Sequence, residues 1–320
     1  MQVFHIYDIY IYRHHQPINN TMKKFFLFAA SFAMLATFAS CNPEDKPGPE
    51  PEPEKPEVKT AKENLVVYMP LESEANAIEV GEGITFASKA GAASFGAGEI
   101  GQGYVNTSGK NDEAYLKFNL AKNNALSALT DVSFTIWVKN IEDFQKGGLF
   151  SVNGKIFPTQ DWPSLVVMFD NKGIEKDENG VETGVKTQQV NGRLMFKKAD
   201  GSETNMWLDT WNAAFAKYAT WIQFAFTYEA ATGLWALYVD GVKVRDGEYG
   251  DMMPFGKCIP EDANAFYLGG WSSWIESYPG AADWQSFFAG SIDEFRVYNK
   301  VLSEEEIQQI RREEVAIALS

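Results

Sequence analysis

The chain is poor in histidine and in cysteine. Of its 320 residues, three are histidine and two are cysteine. His5, His14 and His15 all fall within the first 21 residues, ahead of an apolar targeting segment. The mature protein is therefore expected to contain no histidine. That excludes Ser-His-Asp and Cys-His nucleophilic catalysis, histidine-ligated zinc and histidine-based pH switching. Basic residues are scarce too. There are 28 Lys and Arg against 43 Asp and Glu, a formal net charge of −15. Phosphate contacts need clustered cations, so nucleic acid is set aside as a partner. No apolar run reaches the ~20 residues that span a bilayer as a helix. No internal repeat of fixed period is present. What the chain has in excess is aromatic: 14% Phe, Trp and Tyr, including nine Trp.

The first 60 residues read as address and tether. Met22 is a natural start, and Lys23 and Lys24 precede an apolar run from Phe25 to Ser40. A basic start, a short apolar stretch and the small pair Ala39-Ser40 define a secretory signal peptide over 22–40. Residues 1–21 then read as an upstream extension from a start codon assigned too early. Phe38-Ala39-Ser40-Cys41 resembles a bacterial lipobox, with Phe38 where Leu is usual. The resemblance implies cleavage before Cys41 and lipidation of that cysteine. Two or three acyl chains would anchor stably, where one is marginal. Cys258 is left as the one unmodified thiol, expected to be a small buried apolar residue.

From Asn42 to Thr60 the sequence is NPEDKPGPEPEPEKPEVKT, with six of the chain's 13 prolines. Alternating Pro and Glu favours extended polyproline II and like-charge repulsion. At ~3.1 Å per residue it spans on the order of 50 Å. Residues 41–60 are thus expected to be a lipidated tether that buries no core. Glu44-Asp45 is similar to the surface-export signal of Bacteroidetes lipoproteins, and a plain periplasmic spacer is the other reading.

Residues 61–320 are expected to fold as one domain. Short alternating runs such as Leu65–Met69, Ser133–Lys139, Gly148–Val152, Leu165–Phe169, Gly192–Lys197, Trp221–Tyr228 and Ser291–Tyr298 are separated by Gly, Asn and Asp. That spacing predicts an all-β antiparallel sandwich. In Trp221–Tyr228, period two puts Ile222, Phe224, Phe226 and Tyr228 on one face. Asp240-Gly241 and Asp200-Gly201 predict tight hairpins. Asp170–Gly184 is expected to be a solvated insertion. Ser303 and Glu306 have capping-box spacing, and Ile307 and Ile310 give a stripe, so 303–314 is predicted as a short C-terminal helix.

The stretches WIQFAFTYEAATGLWALYVDGVKV, FYLGGW and FAGSIDEFRVYNKVLSEEEI resemble a laminin-G-like domain of the concanavalin A-like lectin/glucanase group. The likeness is strong over residues 221–310 and looser over 64–220. It implies a two-sheet jelly-roll sandwich. Trp137, Trp221 and Trp235 lie in the strands that carry it and are expected in the core. The group's hydrolases resemble one another in a Glu-x-Asp-x-x-Glu strand, whose alternation presents paired carboxylates. Here Glu175-Lys176-Asp177 is followed by Gly180 and stands in a Gly-rich acidic stretch, and Asp293-Glu294 should point to opposite faces. No catalytic residue is assigned.

The remaining aromatics suggest binding. Trp162, Trp207, Trp211, Trp271, Trp274 and Trp284 are expected in loops or at strand ends, and Tyr278 joins the last three within 14 positions. Sugars present an apolar CH face to flat rings and a hydroxyl rim to Asn, Gln, Asp and Glu. These seven residues are the carbohydrate-binding candidates, with packing over the sandwich ends as the alternative for any one of them. Related jelly rolls often hold calcium, so the resemblance implies one structural calcium ion at Asp293, with Glu72 or Glu74 as partner. A plain bond from Asp293 to a backbone amide is equally expected. The reading is a lectin-like lipoprotein on the outer membrane, facing the cell surface and capturing polysaccharide, with an uptake complex as the implied assembly. A protein-binding adhesion or assembly module is the alternative, and a glycoside hydrolase a further one.

Overall fold

Alternation of apolar and polar side chains decides where each strand sits in this chain. The structure is a computed structural model and describes residues 57–142, 145–209, 216–217 and 219–320. Cys41, the segments 1–21 and 22–40 and most of the 41–60 tether lie outside the described residues, as does Trp211. In chain order the strands are β1 (Leu65–Met69), β2 (Val80–Gly81), β3 (Ile84–Gly91), β4 (Ser94–Ala97), β5 (Gln102–Asn106), β6 (Ala114–Leu120), β7 (Val132–Asn140), β8 (Gly148–Val152) and β9 (Leu165–Lys176). They continue as β10 (Glu182–Lys197), β11 (Glu203–Asp209), β12 (Ala216–Lys217), β13 (Trp221–Tyr228), β14 (Leu234–Val239), β15 (Val242–Glu248), β16 (Ala265–Leu268) and β17 (Gly290–Tyr298). A short helix, α1 (Ser272–Ile275), precedes β17, and α2 (Glu304–Ala318) closes the chain. Among the described residues no helix is long and apolar enough to cross a membrane.

The strands form two antiparallel sheets. The first runs β15-β14-β13-β7-β17-β1-β2, with β5 on β17 and β4 on β5. The second runs β11-β10-β9-β8-β16-β6-β3, with β12 on β10. Their inner faces interdigitate through aromatic contacts: the rings of Phe134 and Phe150 lie 5.3 Å apart, and those of Phe150 and Phe295 5.0 Å apart. Ile222, Phe224, Phe226 and Tyr228 all enter this core, as their alternation predicts. The architecture is the expected two-sheet jelly-roll sandwich. At the β14–β15 turn Asp240 and Gly241 both have positive φ, 52° and 78°, the geometry a two-residue hairpin requires.

Four local expectations need correction. Asp170–Gly184 is not an insertion loop but the far end of the β9–β10 hairpin, with Asp177 Oδ1 accepting from the amides of Asn179 and Val181 at 2.9 and 2.8 Å. Residues 182–186 are all exposed, so no buried face imposes alternation and the strand leaves no apolar signature. Glu175 and Lys176 therefore do stand in a strand. The folded body also begins before Ala61: Val58 packs on an apolar cluster with Ile307 and Ile310, and the amides of Lys59 and Thr60 donate to Glu313 at 2.8 and 3.1 Å.

The third correction concerns the tryptophans assigned to the core. Trp137 is buried, but on the outer face of the first sheet beneath α2; Trp221 is only half-buried, and Trp235, also half-buried, does pack against the core. The fourth is in β17. Ile292 and Phe295 both reach the core although they are three residues apart. A bulge at Glu294, with φ 51°, absorbs the odd residue. Asp293 and Glu294 are both turned off the core rather than to opposite faces; burial, with Glu294 adding, raises the Asp293 carboxyl pKa, and burial raises that of Glu294 against the opposing Arg296.

Helix α2 covers that outer face. Ser303 caps it as predicted: its Oγ accepts from the Glu306 amide at 3.2 Å, and Glu306 Oε2 accepts from the Ser303 amide at 2.9 Å. The buried stripe Ile307, Ile310 continues to Glu314, one more turn than the apolar pattern shows. The Glu314 carboxylate accepts from Trp137 Nε1 at 2.7 Å and Gln223 Nε2 at 2.6 Å, and pairs with Arg296, which also holds Glu294. This buried triad ties helix to sheet.

Candidate functional site

The second sheet turns a different set of side chains outward. On β9, Leu165, Val167 and Phe169 enter the core, so Val166 and Met168 face out, where Trp271 and Trp162 pack on them. On β10, Val190, Leu194 and Phe196 enter the core and Arg193 faces out. Register places Arg193 opposite Val166 on β9 and opposite Trp207 on β11.

Four of the seven aromatic candidates meet on this face. Ring centroids of Trp162 lie 5.6 Å from Trp207, 5.2 Å from Trp271 and 5.2 Å from Trp284, and Trp271 and Trp284 are 5.4 Å apart. The contacts are edge-to-face or tilted, the arrangement that ring quadrupoles favour. Exposure divides their roles. Trp271 is 0% exposed and forms the floor, whereas Trp207 and Trp284 are 43% and 39% exposed. Trp162 stands between them, half-buried. The stack thus offers indole surface to solvent on a rigid base.

Three of the four positions are fixed by hydrogen bonds or strand register. Trp271 Nε1 donates to the Lys146 carbonyl at 2.7 Å. The next residue is fixed to β8, with the Ser272 amide donating to Ser151 Oγ at 2.7 Å and Ser272 Oγ donating to the Val152 carbonyl at 3.0 Å. Buried Gln160 organises the Trp162 loop, donating to the Trp162 carbonyl at 2.5 Å and to Ser164 Oγ at 2.9 Å, and accepting from the Ile156 amide at 3.0 Å. Trp207 is set by the β10–β11 register.

Two cations border the rings. The Arg193 guanidinium sits 4.9 Å from the Trp162 ring centre and 5.2 Å from that of Trp207. Burial lowers its pKa from the ordinary arginine value, with Asp161 and Glu203 acting the other way. Lys146 Nζ lies 5.0 Å from the Trp284 ring centre and 2.9 Å from Asp170 Oδ1. Asp170 Oδ2 in turn accepts from Asn191 Nδ2 at 2.9 Å. Buried polar atoms near the stack lack partners among the described residues: Arg193 Nε, Asn191 Oδ1, Gln285 Nε2 and Ser286 Oγ. An aromatic surface with a few polar groups beside it is the composition of a small-ligand site.

The other candidates fall elsewhere. Trp274 is 37% exposed on α1 and is not part of the stack. Tyr278 is nearly buried, its hydroxyl donating to the Gly154 carbonyl at 3.2 Å beneath Lys155 Nζ at 4.5 Å, and burial followed by Glu276 pushes its pKa up to about 12. The carboxylates proposed for calcium have protein partners. Asp293 Oδ2 accepts from the Ile100 amide at 2.9 Å and Oδ1 from the Glu294 amide at 2.8 Å. Glu72 Oε2 accepts from the Gln102 amide at 3.0 Å, and Glu74 pairs with Lys89 at 3.1 Å. Among the described residues no group of three or more His, Cys, Asp or Glu is placed to hold a metal ion.

Arg193 and Lys146 were missed by sequence reading. The β10–β11 register centres on Asp200 and sets Arg193 against Trp207, whereas a two-residue Asp200-Gly201 turn would set Arg193 against Leu208 and turn Trp207 to the other face. Lys146 carried no signal, because its position depends on the loop before β8. The Glu175-Lys176 pair lies seven residues along β9 from Met168, roughly 23 Å at strand rise, and so is remote from the stack.

A laminin G family profile, described as the concanavalin A-like lectin/glucanases superfamily, matches residues 108–308, and the chain belongs to that superfamily. Three solved structures are similar in fold. Domain 4 of AbnA, a GH43 extracellular arabinanase from Geobacillus stearothermophilus in complex with arabinotriose, is 18% identical, with 77% of this chain and 97% of that chain covered and a TM-score of 0.44. The CBM40 of a Ruminococcus gnavus IT-sialidase bound to alpha2,3 sialyllactose is also 18% identical, with 57% and 83% covered and a TM-score of 0.40. A native heptameric SAP-like pentraxin from Limulus polyphemus is 14% identical, with 64% and 77% covered and a TM-score of 0.39. No curated protein matches the chain.

Proposed function

We propose that this protein binds carbohydrate, without cleaving it, on the outer face of its second sheet. The observation that supports this reading is the convergence of Trp162, Trp207 and Trp284 over buried Trp271 from three separate stretches of chain. Half-exposed indoles held by packing from below suit the CH face of a pyranose, and Lys146 beside Trp284 suits its hydroxyls. Asp170 is engaged by Lys146 and Asn191, so it serves to position those groups rather than as a free acid.

The anchor and the address belong to the same proposal. Acylated Cys41 and the Pro/Glu tether hold the domain out from the outer membrane, where it captures polysaccharide for an uptake complex. Labelling cells with a clickable fatty acid tests this: wild type takes up label and Cys41→Ala does not. A panel of plant, host and microbial polysaccharides, screened against the full chain with calcium and with chelator, tests the ligand. Saturable binding lost in Trp207→Ala supports the reading. Silence across the panel with a folded protein overturns it, and release of reducing sugar overturns the non-catalytic part. Loss of binding in chelator alone would add the calcium ion.

A further inference from the structure

Arg193 is the feature of this face that carbohydrate binding in general does not explain. A neutral sugar needs flat rings and a hydroxyl-bonding rim, and Lys146 beside Trp284 already supplies a polar group there. Arg193 adds a half-buried guanidinium placed between two indoles. Among the described residues no carboxylate forms an ion pair with it, and its Nε is buried without a partner. Several other buried or half-buried cations have carboxylate partners. Arg296 pairs with Glu294 and Glu314, Arg311 with Asp240 and Lys146 with Asp170. In a chain with 43 acidic residues, a half-buried guanidinium beside two indoles with no carboxylate at ion-pair distance among the described residues suits an anion from outside.

Resting on the carbohydrate reading above, we propose that the sugar bound here carries a carboxylate, as uronic and sialic acids do, and that Arg193 binds it. A guanidinium held against an aromatic face keeps its N–H donors in its own plane, free to meet a carboxylate edge-on with two parallel hydrogen bonds. A pyranose laid on Trp207 directs an exocyclic carboxylate beyond its own rim, toward the guanidinium 5.2 Å from that ring's centre. Asp170 pairs directly with Lys146, whereas Asp161 and Glu203 act on Arg193 without forming an ion pair, which leaves its N–H groups free for a carboxylate. Partial burial strengthens the pairing relative to a surface ion pair.

Matched sugars test this on the full chain. Galacturonate oligosaccharides, glucuronate oligosaccharides and sialyllactose are each titrated beside a carboxyl-reduced twin of the same linkage. At least one acidic sugar is expected to bind ten-fold or more tightly than its twin, and which one does so separates uronate from sialate. Arg193→Lys keeps the charge and loses the fork, so it is expected to lose that discrimination and leave the twin's affinity unchanged. Arg193→Gln should do the same, and an unchanged Tm in either variant shows that folding is not the cause. Equal, Trp207-dependent binding of acid and twin overturns this inference and leaves carbohydrate binding standing. Absence of binding to either, with a panel of neutral polysaccharides also silent, overturns both.

Discussion

Arg193 and Trp207 face each other across the β10–β11 pair, the guanidinium carbon 5.2 Å from the indole centre. Two residues on adjacent antiparallel strands thus put a cation and a flat ring at one point, and the stack of Trp162, Trp271 and Trp284 extends the surface. The sheet fixes Arg193 and Trp207, and Trp162, Trp271 and Trp284 reach the same point from segments between strands.

Exposed and buried tryptophans of the stack should separate in experiment. Trp207→Ala and Trp284→Ala are each expected to weaken glycan binding at least ten-fold, about 1.4 kcal/mol, because aromatic contacts dominate small-ligand and interface energies. Both rings are about two-fifths exposed, so Tm should fall only slightly. Trp271→Ala removes a fully buried ring and is expected to cost about 3–5 kcal/mol of stability, measured by urea unfolding.

Glu314 should be a stability residue rather than a catalytic one. Its removal leaves Trp137 Nε1 and Gln223 Nε2 without an acceptor and Arg296 with one carboxylate in place of two. Breaking a buried ion pair costs about 3–5 kcal/mol. Glu314→Ala is expected to lower the urea midpoint by a corresponding amount, and an unchanged midpoint would show that α2 is not held this way.

The same residue gives stability a pH slope. Burial first, with Glu294 adding and Arg296 opposing, raises the folded pKa of Glu314 to about 7 from 4.5. A raised folded pKa contributes stability below the unfolded value and loses it as pH rises through the folded value. Asp293 and Glu294 shift in the same direction. Unfolding midpoints should therefore be highest near pH 4.5–5 and fall by pH 8. Glu314→Gln, which resembles the protonated form, should flatten that fall, and an equal slope in both proteins would count against the assignment.

Ser303→Ala should cost about 1 kcal/mol by removing one arm of the capping box that starts α2. Thermal unfolding measures it, and the expected loss is a few degrees without a change in ligand affinity.

What could be seen in the sequence followed burial on one face. Trp221–Tyr228, Leu65–Met69 and Gly148–Val152 have the boundaries that their patterns predict, because each has one face in the core. The distal β9–β10 hairpin was missed because water surrounds both its faces and nothing forces alternation. Glu314 was missed because a charged residue on a helical stripe reads as the stripe's end, whereas Trp137, Gln223 and Arg296 wait for it. Among the aromatics, sequence grouped Trp271, Trp274, Tyr278 and Trp284 by proximity along the chain. The sheet instead selected Trp162, Trp207, Trp271 and Trp284, joined by strand register that proximity does not encode.

The central claim is that the outer face of the second sheet is a sugar platform. Calorimetric titration of the full chain and of Trp207→Ala, with the tightest glycan from the panel, tests it most directly. The account predicts a one-site isotherm for wild type and at least a ten-fold weaker one for the variant, with Tm nearly unchanged. Equal affinity in the two proteins would place the ligand elsewhere and contradict it.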